Sequence, residues 1–481
     1  MRIDQLPLRS PVAGLRRRGL SMVEVLAQSV SALAPSAAVV AVPPFVMAQA
    51  GAATLPVLVG GTALVVLVGW CLTAFARRMA AVGGVYSYTA KGLGPGAALL
   101  AGWALVVGYA GIAVSALVGS VAYLVSFTGL DPPGPAVALV AVSVGLLATL
   151  TTVRGIRLSA RVALALEVVS VGVVVAVLLV LLAAHDGGSG TGAAVVDGPV
   201  SAGGVATGLV LAVAAFMGFE SAATLGVEAR RPLVAVPRAV FWTPVVTGLL
   251  FVAAGVAQVV LLRAAPVEVL TGDVPIAQLA DADGLGVLPR LLDAGIALSF
   301  FACVTGSINA LARVLFSMSR EGVLPAPLGR THPRFATPAV ALAWASPLLV
   351  VVPAVALASG VRARDVLAGS LTVSALGYVL AYVLAAAAMP VFLHRIGELT
   401  RPTLVAGTLA AALSAVVLVV AVAGASWSGS GAMVVVFVVA WLPGPVLWLV
   451  LRRRSPETLA RVGVYDQATA GSLLPGQGVR R

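Results

Sequence analysis

Ser29-Val-Ser-Ala-Leu-Ala-Pro35-Ser-Ala-Ala38, running on through Val42-Pro43-Pro44, is an apolar helical stretch interrupted at its middle. Pro35 has no N–H to donate and its ring clashes with the preceding turn, so a helix through this stretch breaks there. In water the freed backbone groups would be solvated. In hydrocarbon they are tolerated only where protein or a water-filled cavity meets them. The meaning of the break therefore depends on the solvent, and composition identifies it. Sixty per cent of the 481 residues are hydrophobic and 10% are charged, with a mean hydropathy of +1.07, too few charges to clothe a soluble chain. Apolar stretches recur at 28–50, 53–75, 97–126, 134–152, 160–184, 204–226, 236–262, 288–318, 338–359, 366–392, 403–424 and 431–451. Each is long enough to cross ~30 Å of hydrocarbon. The reading is an all-α polytopic membrane protein with about 12 transmembrane helices.

The sixth stretch carries a matching irregularity, Phe216-Met217-Gly218-Phe219-Glu220-Ser221, with a glycine near its centre and a carboxylate beside it. Singly, one feature is a proline kink and the other a glycine packing contact. Breaks five spans apart, in corresponding positions of two halves, point to a binding site near the membrane midplane.

Charge placement sets the topology. The net charge of +12 is almost all arginine, Lys91 being the sole lysine, and 25 of the 30 basic residues fall in the termini or in loops that share their side. Twelve crossings in the cytoplasmic membrane, with both termini cytoplasmic, follow from the positive-inside rule. No basic run is interleaved with aromatics, as a single-strand binder requires, so nucleic acid is not an expected partner. Cys71 and Cys303 lie in apolar stretches and form no metal-ligand or disulfide pattern. Arg16-Arg17-Arg18 precedes the first apolar stretch and Ala48-Gln49-Ala50 has the form of a cleavage site. The long polar lead and the proline break favour a first transmembrane helix over a removed signal.

Three further motifs occur in order. Gly83-Gly84-Val-Tyr86 follows the second span, with Gly102-Trp103 beyond. Phe216-x-Gly218-Phe219-Glu220 is followed by Glu228-x-x-x-Pro232 and Pro237-Arg238, and Asn309-Ala-Leu-Ala-Arg313 by Ser319-Arg320-Glu321-Gly322-Val-Leu-Pro325. Over roughly residues 20 to 400 the chain thus resembles the amino acid–polyamine–organocation superfamily of permeases. The resemblance implies a LeuT-like fold: a five-helix repeat over 28–184, a second, inverted one over 204–392, and two added helices over 403–451. Residues 1–27 and 452–481 would be cytoplasmic. It also implies a substrate held at the two breaks, by Pro35, Ser36, Ala37 and Ala38 at the first and by Phe216, Gly218, Phe219 and Ser221 at the second. Tyr109 would line the same pocket. Half-helix N-termini offer free N–H groups and a positive dipole end to a carboxylate, and free carbonyls at the other half-ends accept from an ammonium. Many superfamily members have Gly-x-Gly where this chain has Pro35-Ser36-Ala37; the N–H groups of Ser36, Ala37 and Ala38 are the expected anion donors.

Glu167 lies about 9 to 15 Å along a helix from Arg161 and Arg157, at ~1.5 Å per residue, and Glu220 is similarly placed relative to Arg230. Ionisable groups at that depth are costly and are functional candidates by default, so both are candidate coupling acids. Several superfamily members carry a lysine further along the fifth span; this chain has Ser170 there. Protons are the expected coupling ion, since sodium would need oxygen ligands of which Thr305 and Ser307 are the nearest candidates. Arg313 and Arg320, with Glu24, Glu228 or Glu321, are read as a closing gate or as solvated interface anchors.

The functional expectation is a secondary transporter for amino acids or related zwitterions. Its partners are a small-molecule substrate, membrane lipid and protons. A polyamine or organic-amine carrier is the alternative, and a transport-dead sensor a third reading. No Gly-x-x-x-x-Gly-Lys-Ser motif encodes an ATP drive. No cofactor is expected, and no cluster of metal-ligand spacing or nucleophile–base pair points to an enzyme.

Overall fold

The computed structural model describes residues 14–184, 200–263, 286–427 and 431–463, together with Leu270, Ile276 and Leu279. The Gly/Ser/Thr loop after Asp186, most of the acidic loop after Arg263, and the outer parts of both terminal segments lie outside the described residues. The helices are α1 (Met22–Leu33), α2 (Pro35–Ala50), α3 (Thr54–Ala76), α4 (Val85–Leu93), α5 (Pro95–Thr128), α6 (Gly134–Arg154), α7 (Ile156–Ala184) and α8 (Ala202–Ala214). A 3-10 segment, Phe219–Leu225, follows, and then come α9 (Pro232–Leu262), α10 (Leu288–Arg320), α11 (Ala339–Ala358), α12 (Ala363–Arg395), α13 (Arg401–Trp427), α14 (Gly431–Trp441), α15 (Pro443–Arg454) and α16 (Pro456–Ala460). No strand occurs among the described residues.

Eleven of these stretches are long and apolar enough to cross a membrane. The first, Met22–Ala76, is 55 residues long; at ~1.5 Å per residue it would span about 80 Å, far more than one bilayer core. It turns back at Gly51–Ala53, where α2 and α3 pack on each other, and so makes two crossings. The count is therefore the expected twelve.

Local sequence explains where the helices start. Ser21 caps α1 in a reciprocal box with Glu24, whose Oε2 accepts the Ser21 N–H at 2.6 Å. Proline opens α2, α5, α9, α15 and α16, positions where a missing N–H costs nothing and the fixed φ is already helical.

The packing is two-fold in character. The first crossing touches the sixth, α3 lies along α9, α5 along α10, and α6 along α11. The first four crossings thus each pack on the one five later. The long helix α5 lies at the centre, packed against both α10 and α12, and α10 packs in turn on α7. Outward faces are apolar: Trp344 is 74% exposed and Leu249 70%, as expected of side chains that meet lipid.

Candidate functional site

Both expected breaks exist, and they touch. α1 ends at Ala34, which adopts the left-handed conformation (φ 54°, ψ 64°), and Pro35 is the first residue of α2. α8 ends at Ala214, the chain turns through Gly218 (φ +98°), and the 3-10 segment carries Phe219 and Glu220. A Cβ on Gly218 would sit 2.5 Å from the carbonyl oxygen of Ala32, so glycine is required there both by φ and by the approach of the first break. The Ser29 hydroxyl donates to the Phe219 carbonyl, and the Ser221 hydroxyl donates to the Gln28 carbonyl at 3.1 Å. Hydroxyls of each broken segment thus donate to backbone carbonyls of the other.

The donors at the start of α2 are also accounted for. Pro35 has none. The Ser36 N–H donates to Glu167 Oε1 at 2.8 Å, and the Ser36 hydroxyl to the same oxygen at 2.6 Å. The Ala37 N–H reaches Ser299 Oγ at 3.4 Å, and Ser299 Oγ donates to Glu167 Oε1 at 3.1 Å. The Ala38 N–H is the first intrahelical donor, to Ala34 O at 3.1 Å. The N–H groups of Ser36 and Ala37 thus already have acceptors inside the protein, the first of them Glu167, reaching across from α7. Ser299 on α10 was not singled out in the sequence; a hydroxyl in an apolar span is too common to signal anything alone.

Glu220 is 1% exposed, and each of its oxygens accepts from a tyrosine. Tyr109 of α5 donates to Oε1 at 2.7 Å and Tyr382 of α12 donates to Oε2 at 2.6 Å. The rings of Tyr109 and Tyr378 meet edge to face at 5.3 Å, Tyr382 packs on Phe219 at 5.6 Å, and the Tyr378 hydroxyl has no partner among the described residues. Third, sixth and tenth crossings converge on one carboxylate. Tyr378 and Tyr382, absent from the sequence reading, stand four residues apart in the tenth span; an i, i+4 tyrosine pair on one helix face was the signal available. Phe216 turns away from this cluster and meets Phe251 of α9 edge to face at 5.6 Å.

The gate candidates part company. Arg313 and Glu228 form a buried two-pronged pair, Nε to Oε2 at 2.6 Å and Nη2 to Oε1 at 3.1 Å. Arg313 Nη1 also donates to the Asn309 carbonyl at 3.0 Å. Glu24 pairs instead with Arg161 at 2.7 Å and Arg157 at 3.5 Å. Glu321 accepts from the Tyr86 hydroxyl and, at 3.2 Å, from the Gly463 N–H, so the Gly-Gly-x-Tyr and Arg-Glu-Gly motifs meet in space. Gly102 makes room for that ring: a Cβ there would lie 2.4 Å from Tyr86 Cδ2. Arg320 stacks its guanidinium 5.9 Å over the Phe316 ring. Beside Glu228, a cavity of about 330 Å³ is lined by Arg16, Arg154, Arg157, Arg161 and Arg334. The Leu20 N–H donates to the Glu228 carbonyl at 2.9 Å, and the Arg230 N–H to Leu20 O at 2.8 Å; the feet of the first and sixth crossings are thereby tied together. Thr305 donates to its own helix at Ala302 O, and Ser307 lies 3.8 Å from Cys303 Sγ.

Twelve apolar crossings thus surround two interlocked broken helices, with a buried carboxylate at each break. The chain belongs to the amino acid permease family, whose model matches residues 20–448. It is similar to the branched-chain amino acid permease BcaP of Bacillus subtilis, 28% identical over 56% of this chain and 60% of that one. It is also similar to the low-affinity putrescine importer PlaP of Escherichia coli, 24% identical over 55% of this chain and 59% of that one. The chain spans about six tenths of the length of these curated relatives. A manganese transporter from Eremococcus coleocola shares the fold, with a TM-score of 0.55 over 91% of this chain and 95% of that one at 13% identity. The architecture is the LeuT-like one the motifs implied.

Proposed function

We propose that this protein is a proton-coupled secondary transporter that moves an amino acid or related amine across the cytoplasmic membrane by alternating access, with both termini cytoplasmic. The observation that carries the reading is Glu220, a buried carboxylate at one of two touching helix breaks and shared by tyrosines from two other crossings. A carboxylate so placed is an acceptor for a substrate ammonium, and the same group can carry the coupling proton when the substrate has left. Arg313 and Glu228 close the inner end. A buried ion pair gains little net energy over its solvated ions, so parting it into water costs little, while losing one partner in the closed state is expensive. That balance suits a gate. The tied feet of the first and sixth crossings would move as one unit against α7 and α10.

The test is uptake of labelled amino acids and amines by proteoliposomes holding the full chain, with and without an inward proton gradient. Gradient-stimulated uptake abolished by Glu220→Gln supports the proposal. Uptake indifferent to the gradient removes the coupling, and binding without any uptake would favour a sensor on the same fold.

A further inference from the structure

We propose that Glu167 fills, from within the protein, the place a substrate carboxylate would take at the first break, so that the ligand selected is a primary amine with no carboxylate beside it. The inference rests on the transport reading above and narrows its substrate class. Two donors are available at the start of α2, and both are committed: Ser36 N–H to Glu167 Oε1 at 2.8 Å and Ala37 N–H to Ser299 Oγ at 3.4 Å. The Ser36 hydroxyl and the Ser299 hydroxyl, at 2.6 and 3.1 Å, complete the set around the same oxygen. The positive end of a helix dipole attracts an anion within its first turn, and here the carboxyl seated at that end is covalently part of the chain. A second carboxylate brought to the same turn meets a carboxyl already in place and finds the Ser36 and Ala37 N–H groups taken. Repulsion between two carboxylates sharing a site keeps both from being ionised there together.

The other oxygen of Glu167 supplies the second observation. Glu167 is 1% exposed, and its Oε2 has no hydrogen-bond partner among the described residues. A buried acceptor of this kind is rare and costly unless something donates to it. An ammonium carries three donors and matches it; a carboxylate cannot. The buried Tyr378 hydroxyl, also without a partner, lies in the cluster around Glu220. Both breaks therefore present acceptors, and the backbone donors at the start of α2 are occupied. The fold binds Glu167 in place from three sides, through α2, α7 and α10, so it is a built feature of the closed structure and not a wandering side chain.

The experiment compares pairs of probes that differ by one carboxylate: putrescine with ornithine, and 3-methylbutylamine with leucine. Binding to the full chain in detergent and uptake by proteoliposomes are both measured. The wild type should favour each amine over its amino acid by about tenfold or more, the scale of one charge-assisted hydrogen bond. Glu167→Ala, which uncovers the Ser36 N–H, should shift that ratio toward the amino acid by about tenfold. Glu167→Gln keeps the shape and removes the charge, and should shift the ratio the same way by less. If the alanine variant does not fold, the wild-type ratio and the glutamine variant still decide. A wild type that prefers the amino acids, with a ratio unmoved by either variant, overturns the inference and leaves the transport reading intact. Binding and uptake of no member of either pair overturns the transport reading, and the inference with it.

Discussion

The two helix breaks solve one problem with opposite materials. At the first, proline removes a donor, a left-handed alanine bends the chain, and the remaining N–H groups are filled by a carboxylate from another helix. At the second, glycine alone supplies the bend, and the carboxylate belongs to the broken segment itself and is held by phenols from two others. The first is satisfied by a backbone donor and hydroxyls, the second by tyrosine side chains. Under the proposed transport, that difference would set the Glu220 side to exchange the substrate ammonium and the Glu167 side to select against a carboxylate.

The sharpest way to break this comparison is Glu220→Gln. If Glu220 meets the ammonium, initial uptake rates should fall on the order of 100-fold, the cost of removing a buried charged partner, while the thermal stability of the purified protein changes little. An equal loss of stability and uptake would make Glu220 another scaffold group and erase the contrast. Next in size is Arg313→Ala, which leaves Glu228 buried and unpaired; the closed protein should lose about 3–5 kcal/mol by thermal or denaturant unfolding in detergent. Gly218→Ala should cost about 1–3 kcal/mol, from positive φ and a Cβ driven into the Ala32 carbonyl. Ala34→Gly, at the other break, should do the reverse and stabilise by at most about 1 kcal/mol, because glycine relieves the left-handed strain. Opposite signs at the two bends would show that one is already built from the residue its φ demands and the other is not.

The smallest effect lies away from the site. Arg78 Nε donates to Glu398 Oε2 at 3.0 Å on the exposed face between α3 and α13. The Arg78 hydrogen bond holds the Glu398 carboxyl below the usual carboxylate range. A lowered folded value means the contribution is present above the ordinary glutamate value of about 4.3 and is lost as pH falls through the folded one. Glu398→Gln should flatten the acid limb of the stability profile by an amount close to the detection limit, as exposed pairs do. A large change there would mean that the link braces the bundle.

Much of the architecture was legible because lipid is an unforgiving solvent. Every crossing had to announce itself as an unbroken apolar run, and every basic loop marked a side. The breaks were legible for the same reason: Pro35 and Gly218 are conspicuous only where hydrogen bonds have no water to fall back on. Glu167, Glu220 and Arg313 stood out as charges within apolar spans, and Glu228 as part of a motif just beyond one. Their partners did not. Arg320 and Arg313 carry the same guanidinium within one helix, yet one stacks on a phenylalanine and the other enters a buried pair. Ser299, Tyr378 and Tyr382 belong to residue types that pack ordinary membrane helices, so nothing in their identity marks them.

By itself, then, the amino-acid order determined the solvent, the number of crossings, the places where helices break and the few charges buried among them. Those are one-dimensional properties: length, hydropathy and the presence or absence of a backbone N–H. Only the tertiary structure decided that Glu167 seats itself on Ser36, that Glu220 is held by Tyr109 and Tyr382, and that Arg313 chooses Glu228. These contacts join residues 85 to 162 positions apart. They depend on distances of a few tenths of an ångström between side chains on separate helices, which packing sets and no local pattern encodes.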